Sequence, residues 1–263
     1  MSGERRTAIV TGAANGIGRA TALRLAKTGF DLCLVDKDGE ALRQVAKSIA
    51  EAGGSVIVEM ADVMQRSEVE GFAEAALKKY GRIDALANIA GGAGPKSMHQ
   101  IDEISDADWD LVINLNLRST YWACQAVIPA MRAQSHGRIV NMSSTAAHGR
   151  IGPVGTAGAR LVYATAKAGI LGFTHQLAKD VAEFGITVNA VLPWLILSEP
   201  GSRIRNRFEA LEPAGREQIL NLSPMHRAGE ADEVAAAIEF LFSEQAGYIS
   251  GVELPIDGAY LVG

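Results

Sequence analysis

Tyr163 and Lys167 stand four residues apart in Tyr163-Ala164-Thr165-Ala166-Lys167, at the start of a stretch with helical periodicity. That spacing raises both side chains from one helix face. A phenol, with a reference pKa of about 10, is a poor base at neutral pH, but a neighbouring ammonium favours the phenolate. Such a tyrosine could take a proton from an alcohol or give one to a carbonyl oxygen. Taken alone, the pair is equally an ordinary helix surface, so its meaning depends on what the rest of the chain places beside it.

The second group of residues suited to chemistry lies near the start. Thr11-Gly12-Ala13-Ala14-Asn15-Gly16-Ile17-Gly18 follows a β-branched run and opens a helical one. Glycines there let the backbone turn tightly and approach a pyrophosphate, which then rests on the helix's first amides. Gly12, Asn15, Gly16, Ile17 and Gly18 are the candidate cofactor contacts. Asp36 comes 18 residues after Gly18, at the end of the next β-branched run. A carboxylate at that place accepts hydrogen bonds from adenosine ribose hydroxyls and repels a 2′-phosphate, which points to NAD rather than NADP. An aspartate capping a strand end is the plainer alternative.

The elements that must position these groups alternate. Candidate strands are Thr7 to Thr11, Asp31 to Val35, Ser55 to Met60, Ala85 to Asn88, Arg138 to Asn141, Thr187 to Leu192 and Val252 to Pro255. Helical periodicity predicts helices near Ile17 to Thr28, Glu40 to Ala52, Gln65 to Tyr80, Asp106 to Gln134, Tyr163 to Phe184 and Ala231 to Ser243, three of them closing on Gly29, Gly53 or Gly81. Strand-helix alternation of this kind gives an α/β fold, a Rossmann-like doubly wound parallel sheet of about seven strands with helices on both faces. No linker or repeat divides the chain, so residues 1–263 are expected to form a single dinucleotide-binding domain. Pro193 to Ala228 has no strand pattern and carries Pro200, Pro213 and Pro224. A connection of that length is usually functional, and a substrate lid is expected at about 194–228.

Bulk properties exclude several classes. A formal net charge of -5, from 25 basic and 30 acidic side chains, offers no general attraction to nucleic acid or anionic membranes. With 48% hydrophobic residues the chain can bury a core. Two cysteines, Cys33 and Cys124, suggest core thiols in a reducing compartment. The polar Met1 to Arg6 lacks the apolar run of a secretory signal, and a cytoplasmic location is expected. His99, His136, His148, His175 and His226 are scattered without metal-ligand spacing, so no metal is expected.

Four ordered motifs together resemble the short-chain dehydrogenase/reductase family. They are the T-G-x-x-x-G-x-G turn, Asp62-Val63, Asn88-Ile89-Ala90-Gly91, and Tyr163 with Lys167, in the order of their strands. The likeness runs from Thr7 to about Gly258 and is strongest to the 3-oxoacyl-carrier-protein reductase type and its NAD-dependent alcohol dehydrogenase relatives. The resemblance implies hydride transfer between NAD(H) and a small secondary alcohol or ketone, with Tyr163 as general acid/base. It implies that Ser144 hydrogen-bonds the substrate oxygen, with Ser143 as neighbouring competitor. It gives Asn116 a water linking Lys167 to solvent, with Asn114 as the alternative. By the same likeness Lys167 binds the nicotinamide ribose, and Asp62 and Val63 contact adenine. Asn88, Ala90 and Gly91 line the groove, Pro193, Ile196 and Ser198 meet the nicotinamide end, and the protein is a homotetramer built on the two long helices.

The chain departs from the family before Tyr163 and after Pro193. Ser144 and Tyr163 are separated by a longer stretch than usual, the extra residues lying in the Gly/Ala-rich segment from Gly149 to Arg160. Trp194 follows Pro193 where the family has glycine; its ring either walls the substrate pocket or points into the core. The expected lid carries Arg203, Arg205, Arg207 and Arg216, which could receive a substrate anion or form a solvated face beside Glu199, Glu209 and Glu212. Competing functions are a reductase of 3-oxoacyl or acidic carbonyl substrates, a non-catalytic NAD-binding regulator, and an epimerase or dehydratase that recycles bound NAD.

Overall fold

A strand that is covered on both sides needs apolar residues at successive positions, because neither of its faces meets water. A computed structural model describes residues 5–94, 100–149 and 160–262, apart from the side chains of Arg160 and Arg203. Its strands are β1 (Thr7–Thr11), β2 (Asp31–Asp36), β3 (Val56–Met60), β4 (Ala85–Asn88), β5 (Gly137–Met142), β6 (Ile186–Pro193), β7 (Ile196–Leu197), β8 (Gly229–Glu230) and β9 (Glu253–Ile256). Seven of them form one parallel sheet in the order β3-β2-β1-β4-β5-β6-β9. The order reverses between β1 and β4, which opens a crevice at their carboxyl ends, the place where ligands bind such sheets.

The helices are α1 (Gly16–Lys27), α2 (Gly39–Glu51), α3 (Arg66–Tyr80), α4 (Asp106–Ile113), α5 (Ser119–Gln134), α6 (Arg160–Val181), α7 (Arg203–Glu209), α8 (Pro213–Leu220) and α9 (Ala231–Phe242). Successive strand residues serve opposite layers. Val10, Leu32 and Leu34 pack with Leu25 of α1, Leu42 of α2 and Ile238 of α9. Ile9, Cys33 and Leu86 pack with Phe72 of α3, Val127 of α5 and Val181 of α6. Side chains therefore alternate between two buried faces. Gly81 ends α3 at φ 74°, its N–H donating to the Leu77 carbonyl, a closure that only a residue without Cβ adopts freely.

Two expectations need correction. The helix expected over Asp106 to Gln134 is interrupted by a π turn, Asn114–Arg118, that separates α4 from α5. Such turns insert one residue into the helical ladder and redirect the side chains within it, and periodicity across the segment is too nearly helical to reveal it. The stretch from Pro193 to Ala228 does hold a strand: β7 pairs in parallel with β8, Ile196 opposite Gly229. Two residues are too short to leave a hydropathy pattern. The same stretch carries the short helices α7 and α8. His99 and residues 150–159, most of the segment expected to border the pocket, lie outside the described residues. Among the described residues no helix is long and apolar enough to cross a membrane.

Phe72, fully buried between α3 and the sheet, reports on this layer. Phe72→Ala should lower stability by about 3–5 kcal/mol, read as a shifted midpoint in urea unfolding.

Candidate active site

The glycine turn is shaped by close backbone packing. Gly12 has φ +69°, and a Cβ there would lie 2.9 Å from the Ala90 nitrogen, so the turn after β1 and the turn after β4 touch with no room for a side chain. The Thr11 hydroxyl ties the two turns together by accepting from the Ile89 N–H at 3.0 Å and the Ala90 N–H at 3.2 Å. Gly18 lies against the Gly12 carbonyl, where a Cβ would fall 2.0 Å from the oxygen. The sequence thus needs glycine at both places to bring Asn15, Gly16 and Ile17 to the rim of the crevice.

Asp36 faces this turn. Its Oδ2 accepts from the Ala14 N–H at 3.1 Å and its Oδ1 from the Asp38 N–H at 3.1 Å. Asp62 accepts from the Met64 N–H at 2.9 Å and so holds its own turn after β3. Val63 packs into the core layer beside Val69 and Phe72. Asn88 ends β4 buried beneath the groove and donates to Asn141 Oδ1 at 2.9 Å, while Asn141 donates to Thr174 Oγ1 at 2.9 Å. This amide chain links β4 through β5 to α6, the helix that bears Tyr163 and Lys167.

Lys167 is 2% exposed and its ammonium donates to the Met142 carbonyl at 2.7 Å. Burial pushes its pKa down to about 7, since removal from water penalises the charged form. Its Nζ lies 5.5 Å from the centre of the Tyr163 ring. Gly91 sits over the same place: a Cβ there would be 2.6 Å from Asn116 Oδ1 and 3.5 Å from Lys167 Nζ. The π turn delivers Asn116, which is fully buried. Asn116 accepts from the Gly92 N–H at 3.1 Å and donates to the Gly92 and Val112 carbonyls, each at 2.8 Å. Its side chain therefore clamps the turn after β4 onto α4. Asn114, in the same turn, is only half-buried.

The two serines after β5 separate clearly. Ser143 is buried and its hydroxyl donates to the Lys167 carbonyl at 2.9 Å, which fastens α6 to β5. Ser144 is half-buried, accepts from the Ala146 N–H at 3.2 Å and lies 3.5 Å from the Pro193 carbonyl. Tyr163 is half-buried against Val112 and Val162. Asn116, Tyr163 and Lys167 are thus brought together, with Ser144 on the turn Thr145–His148 packed along the same helix.

On the far side, Ile196 is buried in β7, and the Ser198 hydroxyl lies 3.1 Å from where a Gly16 Cβ would be. Arg205 donates to the Ser198 carbonyl at 2.6 Å and pairs with Glu209, so it binds α7 to this segment. Trp194 is not in the core. Its indole stacks on Tyr260, ring centres 5.0 Å apart at 18°, and lines a cleft of about 330 Å³ with Leu195, Met225, Gly258 and Ala259. The sequence reading missed Tyr260. A signal was present, since Asp257-Gly258-Ala259 precedes it: Gly258 and Ala259 take φ 61° and 69°, and Asp257 accepts the Ala259 and Leu261 amides.

A parallel sheet wound in both directions, with a glycine turn at its reversal, is a Rossmann-type dinucleotide fold. Comparison with known proteins narrows this. The family described as enoyl-(acyl carrier protein) reductase matches residues 12–260. Levodione reductase of Leifsonia aquatica is 33% identical over 259 residues, 96% of this chain and 93% of that one. The 3-oxoacyl-[acyl-carrier-protein] reductase FabG of Thermotoga maritima is 36% identical over 259 residues, 98% of this chain and 99% of that one. The crystal structure of levodione reductase superposes with a TM-score of 0.87 at 33% identity, covering 97% of this chain and 96% of that one. That of YwfH, an NADPH-dependent reductase involved in bacilysin biosynthesis, gives 0.89 at 27% identity, covering 98% and 99%. The chain belongs to the short-chain dehydrogenase/reductase family of oxidoreductases, within the 3-oxoacyl reductase type and its alcohol dehydrogenase relatives.

The buried lysine makes a pH prediction. Its folded pKa of about 7 lies below the ordinary 10.5. Between these values the unfolded chain binds the proton and the folded one does not, so the cost of burying Lys167 is full below pH 7 and fades as pH rises toward about 10.5. Lys167→Met removes that cost. The stability of the variant minus that of the parent should fall by about 1.4 kcal/mol per pH unit within this window, measured by urea unfolding at pH 7.5, 8.5 and 9.5.

Proposed function

We propose that this protein is an NAD-dependent dehydrogenase/reductase that interconverts a small secondary alcohol and its ketone, with Tyr163 as general acid/base. The observation that carries the reading is the convergence of Tyr163, the buried Lys167 and Asn116 beside Gly91, at the end of the sheet where β1 and β4 diverge. The residues present suit a dinucleotide. Gly12, Gly16 and Gly18 leave no side chain over the turn, and Asp36 offers a carboxylate at its edge. Asn88, Ala90 and Gly91 would line the groove, Asp62 and Val63 the adenine end, and Pro193, Ile196 and Ser198 the nicotinamide end. Asp36 favours NAD here, because its charge opposes a 2′-phosphate. When bound, the nicotinamide supplies or takes up the hydride.

In the reducing direction, Tyr163 and Ser144 would both donate to the carbonyl oxygen, and the Tyr163 proton moves to it as negative charge develops there. The Lys167 ammonium stabilises the resulting phenolate and holds the nicotinamide ribose. Its titration near neutrality suits a group that refills the tyrosine with a proton. Asn116 keeps the Gly91–Gly92 corner against the lysine and so shapes the water path to solvent. The oxidising direction reverses each transfer. Trp194 follows Pro193, whose carbonyl faces Ser144, and its stack with Tyr260 suits a flat or cyclic substrate over a long flexible one.

The same reading makes the whole chain one dinucleotide-binding domain with its lid at about 194–228. A homotetramer built on α4–α5 and α6 is supported by Trp109, Tyr121 and Leu161, large apolar side chains left exposed on those helices. Two buried free thiols fit the cytoplasm.

Tyr163→Phe should lower kcat by at least about 100-fold while NADH binding, followed by nicotinamide fluorescence, is kept. Turnover near the parent's level would overturn the assignment. A panel of cyclic and open-chain alcohols, 3-oxoacyl thioesters and hydroxy acids, read by NADH absorbance, identifies the substrate class. Asp36→Asn should lower the ratio of kcat/KM with NAD to that with NADP by about tenfold, the loss of one charge opposed to the 2′-phosphate.

A further inference from the structure

The segment after β7 reaches back to the glycine turn. The carboxylate of Glu199 accepts from the Gly16 N–H at 3.0 Å. Gly16 is the first residue of α1, a helix of twelve residues, and its φ of +57° aims this amide out of the turn. The amide belongs to the set that an incoming pyrophosphate would use, given the cofactor reading above, on which this inference rests. Glu199 is half-buried, and the main-chain carbonyl of its neighbour Ser198 is held by Arg205 of α7. The Glu199 main-chain carbonyl accepts from the Ser202 N–H, so the carboxylate sits on a defined turn at the root of the lid.

A carboxylate at a helix N-terminus gains from the aligned peptide dipoles as a phosphate does. One amide proton cannot serve both anions well, and two negative charges a few ångströms apart repel. We infer that Glu199 is an affinity-setting residue: its side chain stands in for the cofactor's pyrophosphate on Gly16 and must be displaced when the dinucleotide binds. Cofactor affinity is set lower than the glycine turn alone would give, and release is assisted by an anion carried on the protein itself. Asp36, which accepts from the Ala14 N–H in the same turn, differs in lying at the edge where ribose hydroxyls can share it.

ADP and adenosine separate the phosphates from the rest of the ligand. Titration calorimetry on the full chain should show ADP binding tightened about two- to fivefold in both Glu199→Gln and Glu199→Ala, with adenosine unchanged. Unchanged or weakened ADP binding in either variant overturns the inference and leaves the cofactor reading standing. Equal tightening of adenosine also overturns it, because the effect would not then lie at the phosphates. If neither the parent nor the variants bind ADP, the cofactor reading and this inference fall together.

Discussion

An ammonium group is kept out of water at Lys167, and much of the surrounding structure exists to make that tolerable. A buried charge needs partners placed around it, and one carbonyl, that of Met142 at the end of β5, supplies a direct one. The lysine's own helix must therefore lie across the end of β5 at a fixed height. Ser143 fastens it there through the Lys167 carbonyl, and Thr174 fastens it two turns further on through Asn141. The turn after β4 closes the remaining side, held by Asn116 and Thr11. The ties come from the ends of three strands, β5, β4 and β1. Lys167 thus sits where α6 meets the ends of strands that the sheet itself holds in register.

This dependence explains how much could be read in advance. The seven main strands were legible because a sheet buried on both faces leaves short β-branched apolar runs, such as Ile9–Val10 and Leu32–Val35, between helical segments. The glycine turn was legible because Gly12 and Gly18 are required by contacts that admit no Cβ. The π turn was not, since it changes the phase of a helix without changing its composition. Nor was β7, whose two residues pair with Gly229–Glu230 from over thirty residues away in the chain.

Side-chain partnerships were the least legible. Asn116 could be chosen over Asn114 only by likeness; the structure shows that its amide is consumed by Gly92 and Val112, which requires knowing where the turn after β4 passes. Ser143 and Ser144 are identical in type and adjacent, yet beyond the end of β5 one hydroxyl donates to the Lys167 carbonyl of α6 and the other accepts from the Ala146 N–H. Trp194 looked like either a wall or a core residue because its partner, Tyr260, lies in another strand's outlet. Long-range pairs of this kind carry no local pattern.

The stack of Trp194 on Tyr260 depends on β9, a four-residue strand at one edge of the sheet that pairs with β6 alone. Edge strands with one neighbour open at lower free energy than the strands between them, and they do so without global unfolding. The glycine turn and Lys167 rest on central strands, while the Trp194–Tyr260 stack rests on the margin. Backbone amides of β9 should then trade hydrogen for deuterium well before those of β1 and β4. The glycine turn and the aromatic stack are in that sense made of materials of different stiffness: one braced on both sides, the other able to breathe.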